Sequence, residues 1–209
     1  MRLSFRVFCL SSALAAMMSL AGAAHAEDIS VTVWNNQPAY PAVLSSTVPS
    51  GPSFATFTAS SFDFDVPSGG DGTIQGFVNS GSGTGLTCTG GGTACTSATN
   101  LNDTYEFLGE TYLVGGQTYS FTHDDGMYLF LNGSMYINAG TPTTAITNTF
   151  SVTTSGTYDF EVLYTNVNAL PSVLQSDISA TPEPGSLALL GSGLLGLAGV
   201  ARRKIFSRS

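Results

Sequence analysis

The residues best placed to do chemistry are two adjacent carboxylates, Asp124-Asp125, followed by Gly126 and standing between apolar stretches at Tyr119–His123 and Met127–Leu131. Neighbouring side chains of a regular strand point to opposite faces, so both carboxylates can hold one ion only if the backbone is unusual; a cis Asp-Asp peptide would do it. Calcium suits such a pair, because it takes about six to eight oxygen ligands from carboxylates, carbonyls and amides. The same residues also fit a plain turn held by Asx hydrogen bonds. They do not suit glycoside hydrolysis, whose carboxyls stand roughly 5–10 Å apart and flank the scissile bond. His123 has no evident nucleophile to serve. No Gly-x-Ser-x-Gly elbow lies in a strand-to-helix context, and Gly81-Ser82-Gly83 falls in a glycine-rich stretch. A hydrogen-bonded or surface role is expected for it, and no enzyme is expected.

Charge narrows the partners. All six Lys/Arg lie at the two ends, as Arg2, Arg6, Arg202, Arg203, Lys204 and Arg208, whereas residues 27–183 hold all 14 Asp/Glu. Phosphate backbones need Lys/Arg to displace their counterions, so nucleic-acid binding is excluded. P-loop and kinase chemistry go with it, since both use a lysine. Asp63, Asp65, Asp71, Asp103, Glu106 and Glu110 read as a solvated acidic face. A second cation site within Asp63 to Asp71 is the alternative.

The elements that must position the Asp pair read as strands. Ile29–Trp34 alternates with period two, and Ser61–Val66 alternates apolar with acidic residues. Tyr105–Val114 and Gln117–His123 flank Gly115-Gly116, a hairpin signal; Met127–Leu131 and Ser134–Asn138 flank Asn132-Gly133, a stronger one. Ile146–Val152 and Thr157–Tyr164 are joined through Ser155-Gly156, and Leu170–Ala180 forms a last strand. Many short strands with close turn signals predict an all-β fold, an antiparallel β-sandwich of jelly-roll type over residues 27–180. Met127–Leu131 is apolar on both faces, which places it at the centre of the sandwich. Tyr119, Phe121, Tyr128, Phe130, Tyr158, Phe160 and Tyr164 are expected in the core rather than on a sugar-stacking surface. No helical period of useful length is apparent outside the two ends.

Residues 67–103 differ, with ten of the 24 glycines and little apolar content beyond Ile74, Phe77, Val78 and Leu86. They read as a glycine-rich insertion. They also hold Cys88 and Cys95, the only cysteines left if residues 1–26 are removed. In an oxidising compartment a Cys88–Cys95 disulfide is the economical reading. A metal pair is the alternative, but no His or further Cys stands nearby.

Both ends read as addresses. Arg2 and Arg6, an apolar stretch from Val7 to Gly22 and the small-x-small site Ala24-His25-Ala26 describe a secretory signal peptide over residues 1–26. At the other end, residues 181–209 contain Pro182-Glu183-Pro184, an apolar run 187–201 and a basic tail over 202–208. Fifteen helical residues span about 22 Å, short of the roughly 30 Å of a hydrocarbon core, so the run is a marginal transmembrane helix. Arg202, Arg203 and Lys204 orient it with the tail in the cytoplasm and the domain outside.

This three-part end resembles a PEP-CTERM sorting signal. The resemblance implies a protein exported through the inner membrane of a Gram-negative, exopolysaccharide-producing bacterium. It would be processed near Pro182-Glu183-Pro184 by an exosortase-type membrane protease and left at the cell surface or in the matrix. The body, through its apolar strand, Asp124-Asp125-Gly126, second apolar strand ending in Asn132-Gly133, then Gly156-Thr157-Tyr158 and Val162-Leu163-Tyr164, resembles the protective-antigen-type β-sandwich, including GLEYA-type flocculins. That resemblance implies a cis Asp pair binding calcium, which in turn holds sugar hydroxyls. Asp124 and Asp125 would be ligands, with Asn166 and Asn168 the nearest candidates for the amide that such lectins add. The function expected is a calcium-assisted carbohydrate-binding or adhesion module, with Ca2+ as cofactor and extracellular polysaccharide as partner. A passive matrix protein is the alternative, and a secreted hydrolase the least favoured.

Overall fold

The computed structural model describes residues 28–35, 46–168, 170–179 and Gly193. The signal peptide 1–26, the motif Pro182-Glu183-Pro184, the apolar run 187–201 and the basic Arg202, Arg203 and Lys204 lie outside the described residues, Gly193 alone excepted. The described body belongs to one compact unit bounded at Glu27 and Thr181. Among the described residues no helix is long and apolar enough to cross a membrane.

The body is an antiparallel β-sandwich of eleven described strands. They are β1 (Ile29–Trp34), β2 (Ala55–Ala59), β3 (Ser61–Val66), β4 (Thr84–Cys88), β5 (Asp103–Leu113), β6 (Thr118–Asp124), β7 (Gly126–Leu131), β8 (Ser134–Ala139), β9 (Ile146–Ser151), β10 (Gly156–Asn166) and β11 (Ser172–Ser179). Seven pair in the order β4-β2-β1-β5-β10-β7-β8, and four in the order β3-β11-β6-β9. Alternation in sequence becomes alternation in burial: in β3, Phe62, Phe64 and Val66 are buried while Asp63 and Asp65 face water. Phenylalanines then join the two sheets. Phe62 of β3 meets Phe107 of β5 at 5.4 Å and Phe160 of β10 at 5.5 Å between ring centroids. Such aromatic contacts add to the area each ring buries.

Two sequence expectations change here. Gly115-Gly116 does not close a hairpin. β5 pairs with β1 and β10, β6 pairs with β11 and β9, and the turn carries the chain from one sheet to the other. Its donors explain this. Gly115 N–H donates to Ser155 Oγ at 2.9 Å and Gly116 N–H to the Val152 carbonyl at 2.8 Å. The turn is thus tied to the β9–β10 connection, which crosses between the sheets beside it. Met127–Leu131 is largely buried on both faces as expected, yet β7 lies beside the edge strand β8 rather than at the centre. Its second face is covered by a small outer cluster of Tyr128 and Leu163, with Phe130 against it. By contrast Asn132-Gly133 does close the β7–β8 hairpin, with positive φ at both residues (47° and 74°).

The glycine-rich segment is ordered. It forms a helix at Ile74–Ser80, strand β4 and a second helix at Gly92–Ser97. Thr73 caps the first helix, its Oγ1 accepting from Gly76 N–H at 3.0 Å. Ile74, Phe77 and Val78 are fully buried at i, i+3 and i+4, one face of a helix too short to announce itself in a sequence window. A Cβ at Gly81 would lie 2.2 Å from the Phe64 ring, and one at Gly76 would collide with Asp71. At those two positions glycine serves close packing, not looseness. Cys88, ending β4, is bonded to Cys95 in the second helix, with Cα atoms 6.0 Å apart.

Candidate functional site

The Asp pair closes the gap between β6 in one sheet and β7 in the other, and the Asp124–Asp125 peptide is cis. The two carboxylates do different work. Asp125 is fully buried, and its carboxylate gathers two loops. Oδ2 accepts from Val167 N–H at 2.7 Å and Asn168 N–H at 3.2 Å, and Oδ1 accepts from Thr143 N–H at 3.2 Å and the Asn168 side-chain amide at 3.3 Å. An ionised carboxylate makes stronger hydrogen bonds than a neutral acceptor, so this one residue fixes the loop after β8 and the loop after β10.

Asp124 is also buried, but its carboxyl is in a less settled state. Burial, then the Asp125 charge beside it, raise its pKa from 3.8 to about 6; His123 and a hydrogen bond from the Ala145 backbone pull the other way. Both effects that raise it disfavour the ionised form, and a bound cation would oppose both.

His123 belongs to the scaffold. It is fully buried; Nδ1–H donates to the Asp125 carbonyl at 2.6 Å, and Nε2 pairs with the Asn148 side chain at 2.8 Å. Both ring nitrogens are therefore engaged.

A buried relay not visible in the sequence supports the pair from beneath. The Tyr105 hydroxyl donates to Asn100 Oδ1 at 2.9 Å, and Asn100 Nδ2 donates to Ser172 Oγ at 3.2 Å. Ser172 Oγ lies 2.9 Å from the Tyr164 hydroxyl, which donates to the Asp124 backbone carbonyl. The directions are consistent, with Ser172 donating to Tyr164, so the Ser172 and Tyr164 hydroxyls each give once and receive once. Burial pushes both phenols well above the ordinary tyrosine range, so they act as neutral donors. Tyr164 carries a sequence signal, in Val162-Leu163-Tyr164. Asn100 and Ser172 are 72 positions apart with no spacing that would pair them.

Of the other expected ligands, Asn168 is exposed and reaches Asp125, whereas Asn166 is fully buried at the end of β10, in register with Asp103. The acidic stretch Asp63 to Asp71 is dispersed. Asp63 accepts from Gln175 at 2.9 Å, and Asp71 turns back on Thr73 N–H at 3.1 Å. Among the described residues no three His, Cys, Asp or Glu side chains converge. A cation at the pair would therefore complete its shell with amide and carbonyl oxygens. The chemistry suits a hard cation on that count: the Asp124 carboxylate stands next to that of Asp125, Asn168 reaches the pair through its side-chain N–H, and residues 27–201 contain no lysine or arginine to compete.

Comparison with known proteins bears on both parts of the chain. A PEP-CTERM protein-sorting motif matches residues 180–204. The motif implies export and C-terminal processing, with an extracellular or surface location. No curated protein matches the chain. Among solved structures, the PA14 domain of the antifreeze protein MpAFP is similar at 20% identity with a TM-score of 0.52, covering 73% of this chain and 81% of that one. A PA14 sugar-binding domain from an RTX adhesin aligns at 18% identity with a TM-score of 0.48, over 73% and 88%. The fold is that of the PA14 β-sandwich.

Proposed function

We propose that this exported domain makes calcium-assisted contact with carbohydrate at the cell surface or in the extracellular matrix. One observation carries the reading: two adjacent buried carboxylates of unlike environment, Asp125 gathering the loops and Asp124 left with its pKa raised to about 6. When bound, calcium would supply positive charge and open coordination positions for sugar hydroxyls. The chain's own part is to hold Asp124, Asn168 and their loops in place. Charge supports the cation as well. A domain this acidic repels an anionic polymer unless divalent ions bridge the two.

The test is a thermal melt of the exported protein in calcium and in chelator, with Asp124→Asn beside it. A cation at about 100 times its dissociation constant adds roughly 2.7 kcal/mol, a shift of several degrees. We expect the shift in the wild type and its loss in the variant, together with polysaccharide binding that chelation abolishes. An unchanged midpoint at millimolar calcium sinks the reading.

The four hydrogen bonds on Asp125 favour a second one, a passive matrix protein whose carboxylate serves only its own loops. It predicts no response to calcium, and Asp124→Asn that leaves both stability and surface retention unchanged.

A further inference from the structure

A sheet ends in strands whose outer N–H and C=O groups have no ladder partner, and chains that stay single blunt such edges with charge, irregularity or a covering element. The edge strands of the described body are β4 and β8 in the large sheet and β3 and β9 in the small one. Three of them are blunted. β3 carries Asp63 and Asp65, and Asp65 N–H donates to Ser80 Oγ of the Ile74–Ser80 helix at 3.2 Å. β4 slips register against β2 between Thr56 and Thr58. β8 slips against β7 between Leu129 and Phe130, which leaves Tyr136 with no residue opposite. β9 has none of these devices. Its residues Ile146–Ser151 pair with β6 without a slip and include no charge, proline or glycine.

The direction of its open groups follows from the neighbouring strand. Ser120 N–H donates to Asp177 Oδ1 at 2.8 Å and the Ser120 carbonyl accepts from Ser176 Oγ at 2.6 Å, so the Ser120 backbone faces β11. Backbone groups alternate along a strand, so Tyr119, Phe121 and His123 turn theirs to β9, opposite Phe150, Asn148 and Ile146. Thr147 and Thr149 therefore point N–H and C=O away from β6, at the open edge, and both residues are exposed. The surroundings select what can pair there. Residues 27–183 hold all 14 Asp/Glu, yet none lies between Asp125 and Asp159. That interval holds β7, β8 and β9, and with them the exposed Met135, Tyr136 and Ile146. Two copies of so acidic a domain repel one another over most of their surface; here they can meet without opposing charges. The strand also fits itself. A two-fold axis through Asn148 sets Thr147 opposite the partner's Thr149 as a hydrogen-bonded pair. It sets Ile146 opposite the partner's Phe150, whose ring meets Tyr136 at 6.1 Å within one copy.

We propose that β9 is a self-association edge, through which a second copy of this chain pairs antiparallel about a two-fold axis and the two small sheets become one. The inference concerns assembly and stands apart from the calcium reading. Its test is run in chelator, which keeps cation bridges between acidic copies out of the result. Sedimentation of the exported protein is measured from micromolar to near-millimolar concentration, and the expected result is a reversible equilibrium that stops at two copies. Hydrogen exchange over the same range should show the Thr147 and Thr149 amides gaining protection as the dimer forms. The Asn148 amide, already in the ladder with β6, should stay as it was. Thr149→Pro removes an N–H that the single copy does not use, and two-fold symmetry takes two hydrogen bonds from the dimer; association should weaken by roughly tenfold or more. Thr149→Asp, which leaves the backbone alone, should weaken it too, and added salt should restore part of that loss. Met135→Ser, on the other uncharged edge, should change nothing. A single copy at every concentration overturns the inference. So does a dimer that survives both Thr149 variants, a dimer lost in Met135→Ser, or assembly that continues past two copies, which a two-fold pairing does not allow.

Discussion

At the Asp125 end two loops are held by one carboxylate. In segment 67–103 two helices and a strand are held by apolar side chains and a disulfide. The first region is polar, with four donors converging on one buried residue. The second buries Ile74, Phe77 and Val78 completely, and Phe77 stacks on Phe64 at 4.8 Å and on Tyr164 at 5.7 Å. The regions meet at Tyr164, whose ring packs under the insertion and whose hydroxyl supports the Asp124 carbonyl. The glycine-rich segment is therefore part of what positions the pair. The difference also bears on dependence on conditions. Apolar packing is indifferent to pH and cations, and carboxylate anchoring is not.

The largest break comes from the insertion. Phe77→Ala removes a fully buried ring contacting Phe64, Tyr105 and Tyr164, and should cost about 3–5 kcal/mol. Denaturant melts read the loss. A cost near 1 kcal/mol would mean that the insertion docks on a fold complete without it. Next is Asp125→Ala, which strips the acceptor from three backbone N–H groups and one side-chain amide. We expect about 2–4 kcal/mol, below the additive sum because the loops relax into water. The sharper readout is hydrogen exchange, with Thr143, Val167 and Asn168 amides losing protection together while the β5–β10 ladder keeps its own. Uniform loss across the domain would contradict a local anchoring role.

This contrast also separates what could be read from the chain from what could not. Strands with a clean period of two, such as Ile29–Trp34 and Ser61–Val66, are found at the residues their alternation marks. Asn132-Gly133 closes its hairpin because two positive-φ positions need those residues. Gly115-Gly116 misleads because a tight turn does not declare whether its strands share a sheet; that depends on Ser155 and Val152, some 40 positions away. The insertion was opaque for another reason. Ile74, Phe77 and Val78 do carry a helical spacing, but over seven residues that include a glycine. Its glycines at 76 and 81 mark close approach to Asp71 and Phe64, contacts that only the folded chain shows. At the site, the local pair Asp124-Asp125 was legible, whereas the Tyr105–Asn100–Ser172–Tyr164 relay joins residues that no local pattern connects.

The smallest effect sharpens the comparison furthest, because only the polar region should show it. The Asp124 carboxyl is raised from 3.8 to about 6, first by burial and then by the Asp125 charge. The folded state then binds this proton more tightly than the unfolded chain does. The group's contribution to stability is fully present below about pH 4 and is lost as pH rises through about 6. In chelator the wild-type midpoint should fall across that window by more than the Asp124→Asn midpoint does, and the difference between the two curves isolates the residue. Parallel curves would show that Asp124 titrates alike in both states. Saturating calcium should reverse the sign, since the cation binds the ionised form and stabilises the fold as pH rises. Calorimetry in two buffers of different ionisation enthalpy should then show proton release on binding at pH 5.5 and almost none at pH 8. Phe77→Ala, destabilising at every pH, should leave the slope in chelator where the wild type has it.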